Sequence, residues 1–340
     1  MRAAALALLL LLLPAIAGAQ TRVFTDSAGR HVTVPAQIGR VYAAGPPASV
    51  LVFALAPDKL IGWTGPFRAA ERPFVPERYA DLPTLGRLTG RGNTANVEVV
   101  MAAKPDVIID YGSINPTYVS LADRVQEQTG IPYILIDGSF EQMEHAIELI
   151  GDLLGVANQA GELWEYADAT LRAVDVARAD QTPPRVYYAR GPNGLQTGLA
   201  GSINVESIER AGAVNVAASL GKGGLAQVSM EQVLAWNPEV IVTIDPNFYD
   251  SVQRDPLWQG VAAVRAKRIY LSPSVPFGWV DFPPSVNRLI GLHWLSWVLY
   301  PDRRPGDMPS IVRDFFTRFY HRTPEDLQIA DLLRGSGLTP

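Results

Sequence analysis

"VEVVMAAKPDVIIDYG" (Val97–Gly112) and "MEQVLAWNPEVIVTID" (Met230–Asp245) carry nearly the same pattern 133 residues apart. In each, about two turns of helix stop near a proline, and a short apolar, β-branched run follows. Asn96 stands where an N-cap side chain accepts the first free amides, and Ser229 with Gln232 has capping-box spacing. Pro105 and Pro238 deny the backbone the N–H that a continuing helix needs. Val107-Ile108-Ile109 and Val240-Ile241-Val242, bounded by turn residues, read as strands buried on both faces, as in a parallel sheet. Glu98 matches Glu231, and Asp106 matches Glu239. A separation of 133 residues is too long for a solenoid repeat and suits two similar lobes.

Working outward, the same α/β alternation fills both halves. Thr21 to Pro35 reads as a hairpin about Asp26-Ser27-Ala28-Gly29, followed by strands at Arg40 to Ala43 and Leu60 to Trp63. Asn115 to Gly130 is a helix and Ile131 to Asp137 a strand. From Phe140 to Arg178 the pattern is helical, with a break at Gly155-Val156-Ala157-Asn158. The second part is one helix of about 22 residues, roughly 30 Å long, enough to bridge two lobes. The alternation then restarts, with strands at Arg185 to Ala189, Val240 to Ile244 and Arg268 to Leu271. A strongly apolar helix runs from Ser285 to Leu299, and Thr323-Pro324 marks a helix start in the tail. The expected division is a leader at 1–19, a first lobe at 20–154, a lobe-spanning helix at 155–182, and a second lobe with helical tail at 183–340.

The leader has its own logic. Met1-Arg2 is followed by the apolar run Ala3 to Leu13, then Pro14 and the small-x-small triplet Ala17-Gly18-Ala19. This reads as a secretory signal cleaved before Gln20, too short to serve as a bilayer-spanning anchor of ~20 residues. The 340 residues contain no cysteine, so the exported chain has neither disulfides nor an N-terminal lipidation site. The periplasm fits these features. A net charge of −5 without a basic run argues against nucleic acid as a partner.

In open parallel sheets, ligands sit beyond the carboxyl ends of the strands. That rule selects the loops at Ala44–Pro47, Thr64-Gly65, Tyr111–Ser113 and Asp137-Gly138 in the first half. In the second half it selects Arg190–Asn193, Phe248-Tyr249 and Phe277–Trp279. Tyr111, Tyr249, Phe277 and Trp279 are candidates to line a large, partly apolar ligand. Arg190 directly follows a strand and offers forked donors to an anionic group. Arg288, an isolated charge in the apolar helix, faces either the cleft or a structural carboxylate such as Asp281. His31, His145, His293 and His321 share no local motif, which disfavours a bare metal site. Gly90-Arg91-Gly92-Asn93-Thr94-Ala95 matches G-x-G-x-x-A but follows no clear strand. No P-loop, G-x-S-x-G or H-E-x-x-H is present. A secreted enzyme and an adhesion or scaffold module remain the rival classes.

The hairpin "VFTDSAGRHVTVP", the segment "RVYAAGPPASVLVFALAPDKLIGW", the doubled helix-Pro-strand unit, the long mid-chain helix and "GWVDFPPSVNRLIGLHWLSWVLYP" together resemble the class III periplasmic solute-binding proteins of ABC importers. The resemblance spans nearly the whole mature chain. It implies two Rossmann-like α/β lobes joined by one rigid helix, with ligand in the cleft between them. It implies a monomer without a resident cofactor, delivering a metal chelate to an inner-membrane ABC permease. A ferric siderophore leads, with cobalamin, haem, a nickel chelate or an oxyanion such as molybdate as alternatives. In such proteins a glutamate on each lobe meets arginines of the permease, which gives Glu98 and Glu231 that expected role.

Overall fold

The computed structural model describes residues 20–90, 92, 95–334 and 336–338. The expected leader lies outside these residues, as do Arg91, Asn93 and Thr94 of the G-x-G-x-x-A stretch.

The chain opens with the antiparallel hairpin β1 (Thr21–Thr25) and β2 (His31–Pro35). Asp26 accepts from the amides of Ala28 and Arg30 in the turn and from Leu135 N at 3.2 Å, which ties the hairpin to the first sheet. That sheet is wholly parallel, in the order β3 (Val41–Ala43), β4 (Val107–Gly112), β5 (Tyr133–Asp137). Its helices are α1 (Pro46–Leu55), the short α2 (Glu77–Ala80), α3 (Val97–Ala103), α4 (Pro116–Thr129) and α5 (Met143–Leu154). Leu60 to Trp63 makes only single bridges, Leu60 with Val41 and Trp63 with Thr84, rather than the expected strand.

Gly155, at φ 65°, ends α5 in the left-handed conformation that glycine adopts without a Cβ penalty. Two residues later α6 (Ala157–Arg178) begins and runs 22 residues, as the sequence predicts. The second sheet follows. Its order is β11 (Ile269–Leu271), β10 (Val240–Thr243), β6 (Arg185–Ala189), β8 (Val214–Asn215), all parallel. A small antiparallel ribbon, β7 (Gln196–Gly198) with β9 (Leu225–Gln227), sits beside it. The helices here are α7 (Glu206–Arg210), α8 (Met230–Trp236), α9 (Pro246–Val252) and α10 (Ala262–Arg265), then α11 (Arg288–Leu299), α12 (Met308–Phe319) and α13 (Asp326–Leu333).

The doubled motif is the same structure twice. Strands β3-β4-β5 correspond to β6-β10-β11. Asn96 caps α3 by accepting from Val99 N, and Ser229 caps α8 by accepting from Gln232 N. Both helices end in a left-handed residue, Lys104 at φ 47° and Asn237 at φ 42°, just before the proline. Along the two helices the burial pattern agrees at every position, with only Val100 and Val233 fully inside. The strand before each unit adds a matched arginine. Arg40 donates to the carbonyls of Ala103 and Lys104, and Arg185 to that of Trp236. A cation there satisfies carbonyls left open at a helix C-terminus.

The C-terminal helices have no counterpart in the first half. Helix α11 begins at Arg288, three residues later than the sequence suggests, and Ser285 before it donates its hydroxyl to Pro47 O at 2.7 Å. Helix α12 returns to the first lobe and packs on α1, with Tyr320 stacked on Phe53 at 6.4 Å. Helix α13 starts at Asp326 under a Glu325/Gln328 capping box rather than at Thr323-Pro324. Thr323 instead pairs its hydroxyl with Thr317, 2.9 Å away. One continuous apolar core therefore joins both lobes and the tail.

Candidate functional site

The loop after β5 meets the loop between β7 and α7. Gly138, just past β5, approaches Ile203 of the second lobe so closely that a Cβ there would lie 3.2 Å from Ile203 Cδ1 and 3.1 Å from the Tyr111 ring. A glycine is what lets the lobes touch at this point. Around the contact runs a buried ionic junction. Arg288, wholly inside, donates to Glu206 Oε2 at 2.7 Å and to the carbonyl of Gly138. Glu206 Oε1 in turn accepts from Phe140 N at 2.9 Å, and the Arg288 guanidinium lies 4.4 Å from the Phe140 ring centre. The arginine's partner is Glu206, not Asp281, because the first turn of α11 packs on α7, which Glu206 begins.

Beside this junction sits the Arg190 group. Arg190 is 8% exposed, and its backbone exchanges hydrogen bonds with Gln196. Its Nη1 donates weakly to Gln196 Oε1 at 3.3 Å. Its Nε lies 3.2 Å from Asp281 Oδ2, but without hydrogen-bond geometry, and has no other partner. Asp281, fully buried and ion-paired with Arg190, has further partners. It accepts from Tyr188 OH at 3.0 Å, from Asn204 Nδ2 at 2.9 Å and from Phe282 N at 2.7 Å. Three neutral donors thus complete the shell of a carboxylate that is also ion-paired with Arg190. Asn204 is the neighbour of Ile203, so this ion pair lies close to the contact between the lobes.

The expected aromatic lining is distributed differently. Trp279 is completely buried, pressed by α11 where Gly291 meets the Trp279 carbonyl. Phe277 packs with Phe53, Trp63, Phe67 and Tyr320. Tyr111 is buried next to Arg288; burial raises its phenol above the usual value, partly offset by that cation. Tyr249 is half-buried against the separate core of the second lobe. The structure brings Tyr111 to Arg288, but it gathers no common aromatic wall from these four. One aromatic that sequence reasoning missed does face solvent. Phe282, next to Asp281, is 71% exposed and held at φ 64°, a left-handed conformation uncommon for a bulky residue. The only sequence signal was its place before the Pro283-Pro284 pair.

Among the described residues no cluster of three His, Cys, Asp or Glu converges as a metal site. His293 is half-buried between α6 and α11 with Nε2 3.1 Å from Thr170 Oγ1, and desolvation lowers its pKa to about 4. His321 reaches Phe53 O and His31 reaches Thr25, so both serve local structure. Glu98 and Glu231 are exposed in the first turns of α3 and α8. Hydrogen bonds from Ser229 and from its own amide hold the Glu231 carboxyl below the usual range.

Residues 75–276 match the family described as periplasmic binding protein. The chain is 28% identical over 325 residues to the molybdate-binding protein MolA of Haemophilus influenzae, covering 88% of this chain and 91% of that one. A solved ABC transporter solute-binding protein from Sulfurospirillum deleyianum superposes with a TM-score of 0.83 at 30% identity, covering 92% of this chain and 99% of the other. Molybdate-bound MolA superposes with a TM-score of 0.72 at 25% identity, covering 89% and 99%. The chain belongs to the periplasmic binding protein family, has its two-lobed class III fold, and is the solute-binding component of an ABC transporter.

Proposed function

We propose that this binding protein is exported by its leader, captures a small oxyanion of the molybdate type between its lobes, and hands it to an inner-membrane permease. The ligand is released unchanged, with no resident cofactor and no chemistry on it. The observation that carries the ligand class is Arg190. It is a largely buried guanidinium directly after β6, ion-paired with Asp281 and only weakly hydrogen-bonded to Gln196. A compact anion met by a guanidinium needs no aromatic platform, which agrees with Trp279, Phe277 and Tyr111 being packed inside. The likeness to a molybdate-binding protein supports the same class.

A second reading, a metal chelate such as a ferric siderophore, is favoured by one observation, the solvent-facing ring of Phe282. Thermal denaturation with sodium molybdate, sodium sulfate or a ferric hydroxamate separates the two, since a ligand bound only by the folded state raises the midpoint. Molybdate is expected to raise it, and Arg190→Gln to abolish the rise. A rise with the ferric hydroxamate alone overturns the oxyanion reading. Exposed Glu98 and Glu231 support docking on the permease. Changing both to Lys is expected to leave ligand binding intact and abolish uptake; uptake that survives the double change removes that role.

A further inference from the structure

The two docking glutamates are each accompanied by an exposed apolar side chain at the same offset. Met101 lies three residues after Glu98 and is 51% exposed; Leu234 lies three residues after Glu231 and is 40% exposed. On a helix, residues i, i+3 and i+4 share a face. The fourth position is an exposed alanine in both, Ala102 and Ala235, which leaves the large side chain open on one flank. Each lobe thus shows the same short face: an acid, a large apolar group and a small residue. Burial in the core explains neither Met101 nor Leu234, because the inward position of each helix is already filled by Val100 or Val233. An exposed apolar residue by itself is ordinary. Two at matching positions in a duplicated unit, each beside an exposed carboxylate, are a repeated surface.

We infer that Met101 and Leu234 are a pair of equivalent apolar anchors beside the docking glutamates, each fitting an apolar recess of the permease. This rests on the docking role given above to Glu98 and Glu231. Charge complementarity sets the approach and orientation, while the apolar group, once desolvated, supplies affinity that holds against salt. The twin faces match a two-fold partner because equivalent subunits offer like surfaces.

The test uses the full mature protein and inner-membrane vesicles from its native host. A photoreactive benzophenone side chain is placed at 101, at 234, and at exposed Val176 on α6 as a control. Positions 101 and 234 are expected to cross-link to one and the same polytopic subunit, identified by peptide mapping, and position 176 to none. Capture of different proteins from the two positions, or equal capture from position 176, overturns the inference. In a second arm, Met101→Ser with Leu234→Ser is expected to weaken vesicle binding by roughly tenfold or more, with melting temperature and molybdate response unchanged. If that pair leaves binding unaltered while Glu98→Lys with Glu231→Lys abolishes it, the apolar anchors fall and the glutamate docking stands. If neither pair alters it, both fall.

Discussion

At the fourth position of β4 the first lobe buries Asp110; at the equivalent position of β10 the second lobe buries Thr243. The surrounding units agree in caps, burial and terminal arginines, so the contrast isolates one change. Thr243 uses its hydroxyl locally, accepting from Asp245 N at 3.1 Å. Asp110 must place a carboxylate in the core, held by Thr89 Oγ1 at 3.1 Å and Tyr133 OH at 3.2 Å. Burial pushes its pKa from 3.8 to about 6, against those hydrogen bonds. A duplicated scaffold therefore tolerates divergence at a strand's end, where polar partners are near, while its helix caps and prolines stay alike. The junction between the lobes belongs to neither copy, since Arg288 comes from a helix the first half lacks.

The largest expected effect tests that junction. Arg288→Met leaves Glu206 without its cation and Gly138 without its donor, and should cost about 3–5 kcal/mol of unfolding free energy in denaturant titration. A loss under 1 kcal/mol would mean the lobes hold together through the shared apolar core alone.

Next comes the Asp110 contrast, read as pH dependence. Between about pH 4 and 6 the folded state keeps a proton on Asp110 that the unfolded chain has lost, so this group's stabilisation falls as pH rises through that window, by about 2–3 kcal/mol in total. His293 acts oppositely. Its pKa is lowered to about 4, so its contribution is complete above pH 6.5 and is lost as pH falls toward 4. The two offset each other in the intact protein. Asp110→Asn should make melting temperature fall more steeply on acidification, and His293→Gln should make it fall more steeply as pH rises from 4 to 6. Identical profiles for all three proteins would contradict both assignments.

The smallest effects sharpen the equivalence itself. Arg40→Ala removes hydrogen bonds to two helix-terminal carbonyls and should cost about 1–2 kcal/mol; Arg185→Ala removes one and should cost about 1 kcal/mol or less. Equal or reversed costs would show that the matched arginines do not play matched roles.

Much of the architecture was legible because it is written in local signals. Asn96, Ser229, the two prolines and the β-branched runs act over a few residues, and the duplicated unit and the 22-residue helix follow from them. The matched arginines Arg40 and Arg185 went unnoticed because their role depends on carbonyls 63 and 51 residues away. The site was less legible for the same reason. Tyr111, Phe277 and Trp279 stand next to strand ends in the chain, as ligand-facing residues do, but α11 and α12 fold back over them. Phe282 is exposed beside an Asp281 held by Tyr188, Asn204 and the Phe282 amide.

By itself the sequence determined the two like halves, the rod between them and the placement of an acidic residue on each, since hydrophobic period, capping and proline act through neighbours. Tertiary structure alone decided which charges pair and which aromatics reach solvent. Those outcomes depend on desolvation and on partners brought together from distant parts of the chain, as Arg288 and Glu206 are across 82 residues, and no local pattern encodes them.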